Sequence, residues 1–169
     1  SMVGVYALSP VLAKILGPIV TPVYKLFGAD PAMFAGTLLA NDMGGWPLAQ
    51  AMTDNPDAQR LSGLILGAMM GATVVFTIPV ALGIIGKEDR PFLAKGVLAG
   101  IVTIPIGVLV SGAAAGMPMG FVAVNTIPIV LTAALIAFGL WRAPDAMTKG
   151  FLAFGKGLVF VISIGLVIG

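Results

Sequence analysis

Residues 61–86 read LSGLILGAMMGATVVFTIPVALGIIG, and these 26 residues contain no charged side chain. A bilayer core about 30 Å thick is crossed by a helix of about 20 apolar residues, so this stretch predicts one membrane span. Residues 96–141 form a second charge-free run, which is 46 residues long. That run is long enough for two spans, and the glycines and proline of residues 112–120 divide it into 96–111 and 121–141.

The composition of the whole chain is that of a membrane protein. Of its 169 residues, 59% are hydrophobic and 9% are charged, whereas a soluble domain carries about 25% charged residues. The nine basic residues are dispersed, so no nucleic-acid-binding surface is indicated. Cysteine and histidine are absent from the sequence, which removes the usual metal ligands and nucleophile–histidine pairs. We therefore predict a lipid bilayer as the partner, no nucleic acid, no cofactor, no metal site and no enzymatic activity.

Two further apolar stretches add to a predicted all-α, polytopic helical membrane protein of about five or six helical segments. Residues 151–169 are apolar apart from Lys156. Residues 3–27 carry Lys14, Lys25 and three prolines, which predict a helix that is broken. Lys14 and Lys156 are interpreted as lying near enough to a span end for their ammonium groups to reach the interface.

The charges of the loops predict an orientation. Residues 87–95 carry three basic side chains and residues 142–149 carry two, whereas residues 112–120 carry none. Because basic loops face the cytoplasm, the first two segments are predicted to be cytoplasmic. The glycine-rich segment 112–120 and the segment 54–60 are then outside.

Asp42 is the only charged residue within the 23-residue window 31–53, and it lies at the middle of that window. If the window crosses the membrane once, Asp42 lies near the bilayer centre and Lys25 lies on the cytoplasmic side. A carboxylate at that depth costs about 2.5 to 3.5 kcal/mol on insertion scales, and such residues usually face a cavity and serve transport. Two alternatives stay open: Asp42 lies on a surface loop, or it pairs with Lys14 or Lys25 for packing alone.

The chain around Asp42 predicts an interrupted helix. Asp30 followed by Pro31 is typical of a helix start, as an N-cap acceptor and a proline in the first turn. Helix-breaking residues follow Asp42 closely, namely Gly44, Gly45 and Pro47. The C-terminal carbonyl groups of the half-helix 31–41 carry partial negative charge, and the Asp42 carboxylate is also negative. Together they suit a small cation. The amide of Asn41 adds a partner for a hydroxyl group.

The tripeptide Thr-Ile-Pro occurs once in each of three consecutive predicted spans. Its copies begin at Thr77, Thr103 and Thr126 and end at Pro79, Pro105 and Pro128. Counted from the basic flanks, the prolines lie 8, 10 and 14 residues deep, which is about 12 to 21 Å along a helix. Each proline frees a carbonyl group one turn earlier, which a threonine hydroxyl or a substrate can satisfy. We predict that the helix breaks at these three prolines line one cavity at one depth. The alternative is that the prolines only shape helix packing.

Asn125 and two glycine repeats complete the set of candidate residues. Asn125 is the only side-chain amide within residues 96–141, and the sequence leaves open whether it binds a ligand or a neighbouring helix. Glycines recur every four residues, at Gly63, Gly67 and Gly71 and again at Gly96 and Gly100. We interpret both repeats as faces on which helix backbones approach closely.

Four stretches carry a resemblance to a known family. They are GPIVTPVYKLFGADP (17–31), PAMFAGTLLANDMGG (31–45), SGLILGAMMGATVVFTIPVALGII (62–85) and LAKGVLAGIVTIPIG (93–107). The chain resembles the ethanolamine utilization permease of bacteria, an integral membrane transporter, from about residue 8 to at least residue 143. The resemblance implies an inner-membrane carrier or facilitator for ethanolamine. Chains of that family are much longer, so the single transmembrane domain predicted for residues 2–169 resembles an interior portion of a longer transporter.

Together, the residues and the resemblance predict a permease or facilitator for ethanolamine or a similar small amino alcohol. Asp42 and the carbonyl groups at the helix break are predicted to hold the ammonium group near the bilayer midplane. Asn41, Asn125 or a threonine of the repeated tripeptide is predicted to hold the hydroxyl group. The alternative is a non-transporting membrane subunit, or a truncated half that must assemble, with a homo-oligomer or a second half supplying the remainder.

Overall fold

The structure is a computed structural model that describes residues 2–168, so Ser1 and Gly169 lie outside it. Its α-helices are α1 (Met2–Leu26), α2 (Met33–Leu38), α3 (Gly45–Met52), α4 (Pro56–Arg60), α5 (Ile78–Ile84), α6 (Arg90–Ala114), α7 (Met119–Arg142) and α8 (Pro144–Ile168). Helices α4 and α5 are the two ends of one continuous helix, the central helix (Pro56–Ile84). Its middle is wound as π-helix over Leu61–Gly71 and Thr73–Thr77. Short 3₁₀ turns occupy Asn41–Met43 and Lys87–Asp89.

Five of the described helices are long and apolar enough to cross a membrane: α1, the central helix, α6, α7 and α8. The prediction of a polytopic helical membrane protein with five or six helical segments is confirmed. The turn between α6 and α7 lies within residues 112–120, as predicted, and contains Gly116 with a φ of 71°. The predicted break in the first helix is wrong, because α1 continues through Pro10, Pro18 and Pro22. Each proline removes one hydrogen bond from α1, and the bonds on either side continue the helix.

Residues 31–53 do not cross the membrane, and instead form a re-entrant hairpin of α2 and α3 beside the central helix. The residue after α2, Leu39, lies against Gly71 of the central helix. The start of α3, at Trp46, lies against Gly63, which is two turns back toward the N-terminus of the central helix. The chain therefore enters along the central helix with α2, reverses, and returns with α3.

Both ends of the hairpin lie at the same side of the protein. Thr53 Oγ1 donates a hydrogen bond to Asp30 Oδ2 over 2.8 Å. Lys25, at the end of α1, lines a surface cavity together with Asn55 and with Phe121 near the start of α7. The predicted single crossing of residues 31–53, on which the cytoplasmic position of Lys25 depended, is therefore wrong. Lys25 lies on the side of the turn between α6 and α7.

Glycines of the central helix allow the hairpin to pack closely. A Cβ atom at Gly71 would overlap the carbonyl oxygen of Leu39, and one at Gly63 would lie 2.8 Å from Cε3 of Trp46. The close packing predicted for the glycine repeat of residues 63–71 is thus confirmed. On α6 the same prediction is wrong, since both glycines of the repeat face open space: Gly96 and Gly100.

The apolar core lies between the hairpin, the central helix, α6 and α7. Its fully buried side chains include Met33, Leu61, Leu66, Met70, Ile101, Val108, Val122 and Ile129. Large apolar side chains on the outer faces are exposed instead, as at Ile19, Val110 and Leu135. Exposed apolar faces on helices of this length are the surfaces that lipid chains cover.

Candidate functional site

Two glycines allow the chain to reverse tightly at the tip of the hairpin. The 3₁₀ turn Asn41–Met43 ends at Gly44, which has a φ of 105°, a backbone conformation that glycine adopts without steric cost. At Gly45, a Cβ atom would lie 2.6 Å from the Leu39 carbonyl oxygen. Pro47 lies in the first turn of α3, where its missing N–H removes no intrahelical hydrogen bond. The tip is therefore a tight reversal in which larger residues would not fit.

Asn41 and Asp42 are both exposed on this tip. The Asp42 N–H donates to Asn41 Oδ1 over 2.9 Å, which holds the amide beside the carboxylate. Among the described residues, the Asp42 carboxylate has neither a hydrogen-bond donor nor an ion-pair partner. Pairing of Asp42 with Lys14 or Lys25 is thus not observed. Nothing in the described part of the chain neutralises this carboxylate.

The tip lies deep within the bundle and not at its end. Leu39 and Asn41 contact the central helix at Gly71 and Gly67, which follow Pro56 by 15 and 11 residues. At about 1.5 Å per residue these positions are roughly 16 to 23 Å along the central helix from Pro56. Asp42 thus lies on an exposed turn, as the surface-loop alternative expects, and this turn lies against the middle of the central helix. A charge at that depth costs about 2.5 to 3.5 kcal/mol and requires water or a protein partner.

The carbonyl groups at the break are only partly available for a cation. The Ala40 carbonyl oxygen accepts hydrogen bonds from the Met43 N–H over 3.0 Å and from the Gly45 N–H over 2.9 Å. These two bonds use both lone pairs of that oxygen. The Ala40 carbonyl group is therefore not available to a cation, whereas the Asp42 carboxylate is exposed on the tip.

Asn125 lies at the base of the hairpin and not at its tip. Its side chain is 2% exposed, and its Oδ1 accepts from the Asp30 N–H over 2.7 Å. Its Nδ2 donates to the Phe121 carbonyl oxygen over 2.9 Å. Of the two roles left open by the sequence, the structure shows the contact with another segment of the chain. The amide joins α7 to the start of the hairpin.

The three threonines of the repeated tripeptide bond to their own helices. Their hydroxyl groups donate to carbonyl oxygens over 2.7 to 3.4 Å, in the pairs Thr77–Ala72, Thr103–Gly100 and Thr126–Val122. The carbonyl groups one turn before Pro79, Pro105 and Pro128 belong to other residues, Val75, Ile101 and Val124, so the threonines do not satisfy them. Each of the described cavities contains residues from at most one of the three tripeptides. These five cavities therefore do not bring the three breaks together, and a shared cavity at the three prolines stays a prediction.

The base of the hairpin is held by polar contacts that the sequence analysis missed. Asp30 Oδ1 accepts from the Ala32 N–H over 2.9 Å, as expected of a residue at a helix start, but Oδ2 also accepts from Thr53. Ser62 of the central helix is fully buried, and its Oγ accepts from the Gly36 N–H over 3.0 Å and donates to the Ala32 carbonyl oxygen. A serine within an otherwise largely apolar run was the available signal, because a buried hydroxyl needs a partner.

Replacing Thr53 by valine is expected to lower the free energy of unfolding by about 1.5 to 3 kcal/mol, because the variant removes a hydrogen bond to a charged acceptor. The measurement is denaturant unfolding of the protein in detergent. Thr53→Ser keeps the hydroxyl and serves as the matched control, with a smaller loss. Equal stability of the valine and serine variants would contradict the role of this bond.

Five helices long and apolar enough to cross a membrane, together with a re-entrant hairpin of α2 and α3, define a polytopic helical membrane protein. Comparison with known proteins then identifies the family. The family model described as "Ethanolamine utilisation protein, EutH" matches residues 1–169, and the chain belongs to this family.

Individual relatives agree with the family. The chain is 62% identical over its full length to a protein of Listeria monocytogenes named "Probable ethanolamine permease EutH". It is 53% identical, over 98% of its length, to a protein of the same name from Salmonella typhimurium and to "Uncharacterized protein YxeR" of Bacillus subtilis. The matches cover 45%, 44% and 45% of the Listeria, Salmonella and Bacillus proteins, respectively, so the chain spans a little under half the length of these relatives. No solved structure matches the chain.

Proposed function

We propose that this chain forms part of a permease for ethanolamine, or a similar small amino alcohol, in the cytoplasmic membrane of a bacterium. The observation that carries the proposal is the exposed Asp42 carboxylate on the hairpin tip, without a partner in the described part of the chain and at mid-depth. A transporter needs a polar site that substrate can reach at that depth. The names of the relatives supply the substrate class.

In the proposed site, the Asp42 carboxylate accepts hydrogen bonds from the ammonium group of the substrate. Such bonds between ionised partners are about twice as strong as those between neutral groups. The Asn41 amide, which is 2.9 Å from the Asp42 nitrogen, binds the hydroxyl group two carbon atoms away. Asn125 and the threonines Thr77, Thr103 and Thr126 act on the backbone and support the hairpin and the helices around it.

The proposed site needs additional protein, beyond one copy of this chain, to cover the Asp42 carboxylate. An exposed carboxylate at mid-depth would otherwise face lipid, at the cost already given. Relatives more than twice as long as this chain indicate one source of the cover, a second half of the permease. A second copy of the chain is the other source.

Competition for uptake tests the proposed recognition of an ammonium group. Membrane vesicles that contain the native protein are loaded with labelled ethanolamine in the presence of excess ethylamine or ethylene glycol. Because Asp42 binds the charged end, ethylamine is expected to inhibit uptake at concentrations at least about 10-fold lower than ethylene glycol, as for a charged hydrogen bond worth 1.5 kcal/mol or more. Equal inhibition by the two compounds would contradict the cation site. Absence of uptake above empty vesicles would favour the non-transporting subunit.

A further inference from the structure

A cavity at the base of the hairpin contains two opposite charges that do not pair with each other. It has a volume of about 490 Å³ and lies between the end of α1, the start of the hairpin and the start of α7. Its lining includes Lys25, which is exposed, and Asp30, which is half-buried. In the described part of the chain the ion pair is Arg60–Asp57 alone. The Lys25 ammonium group and the Asp30 carboxylate therefore share a cavity without forming an ion pair.

The polar groups of this cavity keep part of their hydrogen-bonding capacity. Asp30 Oδ1 accepts from the Ala32 N–H and Oδ2 from Thr53 Oγ1, so each oxygen retains one lone pair. Asn55 also lines the cavity. Its Oδ1 accepts from two backbone N–H groups at the start of α4, while its Nδ2 donates to no described residue. The cavity thus offers donors at Lys25 and Asn55 and acceptors at Asp30.

The cavity lies where membrane spans end. Lys25 is in the last turn of the span α1, and Phe121, another lining residue, is in the first turn of the span α7. Basic side chains at the ends of spans lie at the level of the lipid head groups, whose phosphate groups attract them. A ligand of this cavity is therefore within reach of both the aqueous phase and the head-group layer.

We propose that this cavity binds an aminoalkyl phosphate group, such as the head group of phosphatidylethanolamine. The phosphate binds Lys25 and Asn55, and the ammonium group binds Asp30. Such a group has a negative and a positive charge two carbon atoms apart, so one ligand pairs with both side chains. A purely anionic ligand would be repelled by Asp30, and a purely cationic one by Lys25. The volume is within the range of about 300 to 1,000 Å³ usual for small-ligand sites.

A series of lipids tests the ammonium end of the site without changing the protein, because replacing Asp30 would also weaken the base of the hairpin. Native mass spectrometry of the chain in detergent measures binding, since each bound lipid adds its mass to the 17.2 kDa of the protein. The probes are phosphatidylethanolamine, phosphatidylcholine and phosphatidylglycerol with identical acyl chains. Phosphatidylcholine keeps both charges but has no N–H donor, and phosphatidylglycerol has no positive charge. We expect phosphatidylethanolamine to have a dissociation constant at least about 10-fold lower than either of the others.

Lys25→Gln tests the phosphate end. It is expected to raise the dissociation constant of phosphatidylethanolamine at least about 10-fold, as for loss of a charged hydrogen bond. Lys95→Gln is the matched control, because Lys95 is also an exposed lysine but lies near the start of α6, at the opposite side of the protein. It is expected to change the constant by less than about a factor of two. Circular dichroism checks that both variants keep their helix content.

Glycerophosphoethanolamine, which has the same head group and no acyl chain, distinguishes the two sources of the ligand. Displacement of the lipid at a similar concentration supports a soluble ligand of this site, and much weaker displacement supports the membrane lipid. The proposal is overturned by equal affinities for the three lipids, or by a folded Lys25→Gln protein that binds phosphatidylethanolamine as the unaltered chain does. The inference is independent of the proposed function, since Asp42→Asn is expected to leave lipid binding unchanged.

Discussion

Asp42→Asn is expected to lower the initial rate of ethanolamine uptake about 30-fold or more. The amide has nearly the shape of the carboxylate but lacks its charge, and loss of one partner of a desolvated charge pair costs about 2 kcal/mol or more, with each 1.4 kcal/mol equal to a factor of ten. The measurement is uptake of labelled ethanolamine below saturation into vesicles that contain equal amounts of each protein. Helix content should not change, because the carboxylate makes no hydrogen bond or ion pair with the described part of the chain.

Asp54→Asn is the matched control for this substitution. Asp54 is also an exposed aspartate and lies just beyond the end of α3, at the base of the hairpin instead of its tip. The same loss of one negative charge is expected to leave uptake within a factor of two. An Asp42→Asn protein that keeps more than a third of the uptake would refute the assignment of the ammonium site.

Gly71→Ala is expected to destabilise the protein by about 3 kcal/mol or more, at or above the upper end of the usual range for overpacking. The added methyl group would overlap the carbonyl carbon and oxygen of Leu39. These are backbone atoms at the start of the hairpin reversal, so the strain is not relieved by rotation of a side chain. The hairpin would have to move away from the central helix, and the tip would move with it. Unfolding by denaturant in detergent measures the loss.

Gly83 lies on the same central helix as Gly71, and Gly83→Ala provides the comparison for Gly71→Ala. A Cβ atom at Gly83 meets no atom within 4 Å, and alanine is favoured over glycine inside a helix by roughly 0.5 to 1 kcal/mol. This variant is expected to be as stable as the unaltered protein or slightly more stable. If the free energies of unfolding of the two variants differ by less than about 0.5 kcal/mol, the close packing of the hairpin does not stabilise the fold.

Much of the fold follows from local sequence. The charge-free runs 61–86 and 96–141 predict three of the spans correctly, because burial in lipid depends on the length and polarity of a segment and on little else. Gly44 and Gly45 mark the tip of the hairpin for a local reason as well, since they fit a tight reversal that other residues do not. Proline positions were less informative: α1 contains three prolines and still forms one helix.

The candidate site was only partly predictable. Asp42 and Asn41 stand out because they are polar residues inside an apolar window. Asn125 stands out by the same rule, yet its amide bonds to the backbone of Asp30, which is 95 residues away in the chain. Single-sequence patterns carry no information about which of two distant segments will meet, so they do not separate a ligand-binding amide from one that joins two segments.

The sequence by itself determined that this protein is helical, that it lies in a membrane, and that its chain reverses or breaks next to an acid. Only the tertiary structure decided that residues 31–53 return to the side from which they enter. A window of 23 residues is long enough to span the bilayer, so length does not exclude a crossing. The return depends on contacts made only in the folded chain: Gly71 receives the Leu39 backbone, and Thr53 bonds to Asp30. These contacts, and not the composition of the window, put the carboxylate at mid-depth on a re-entrant tip.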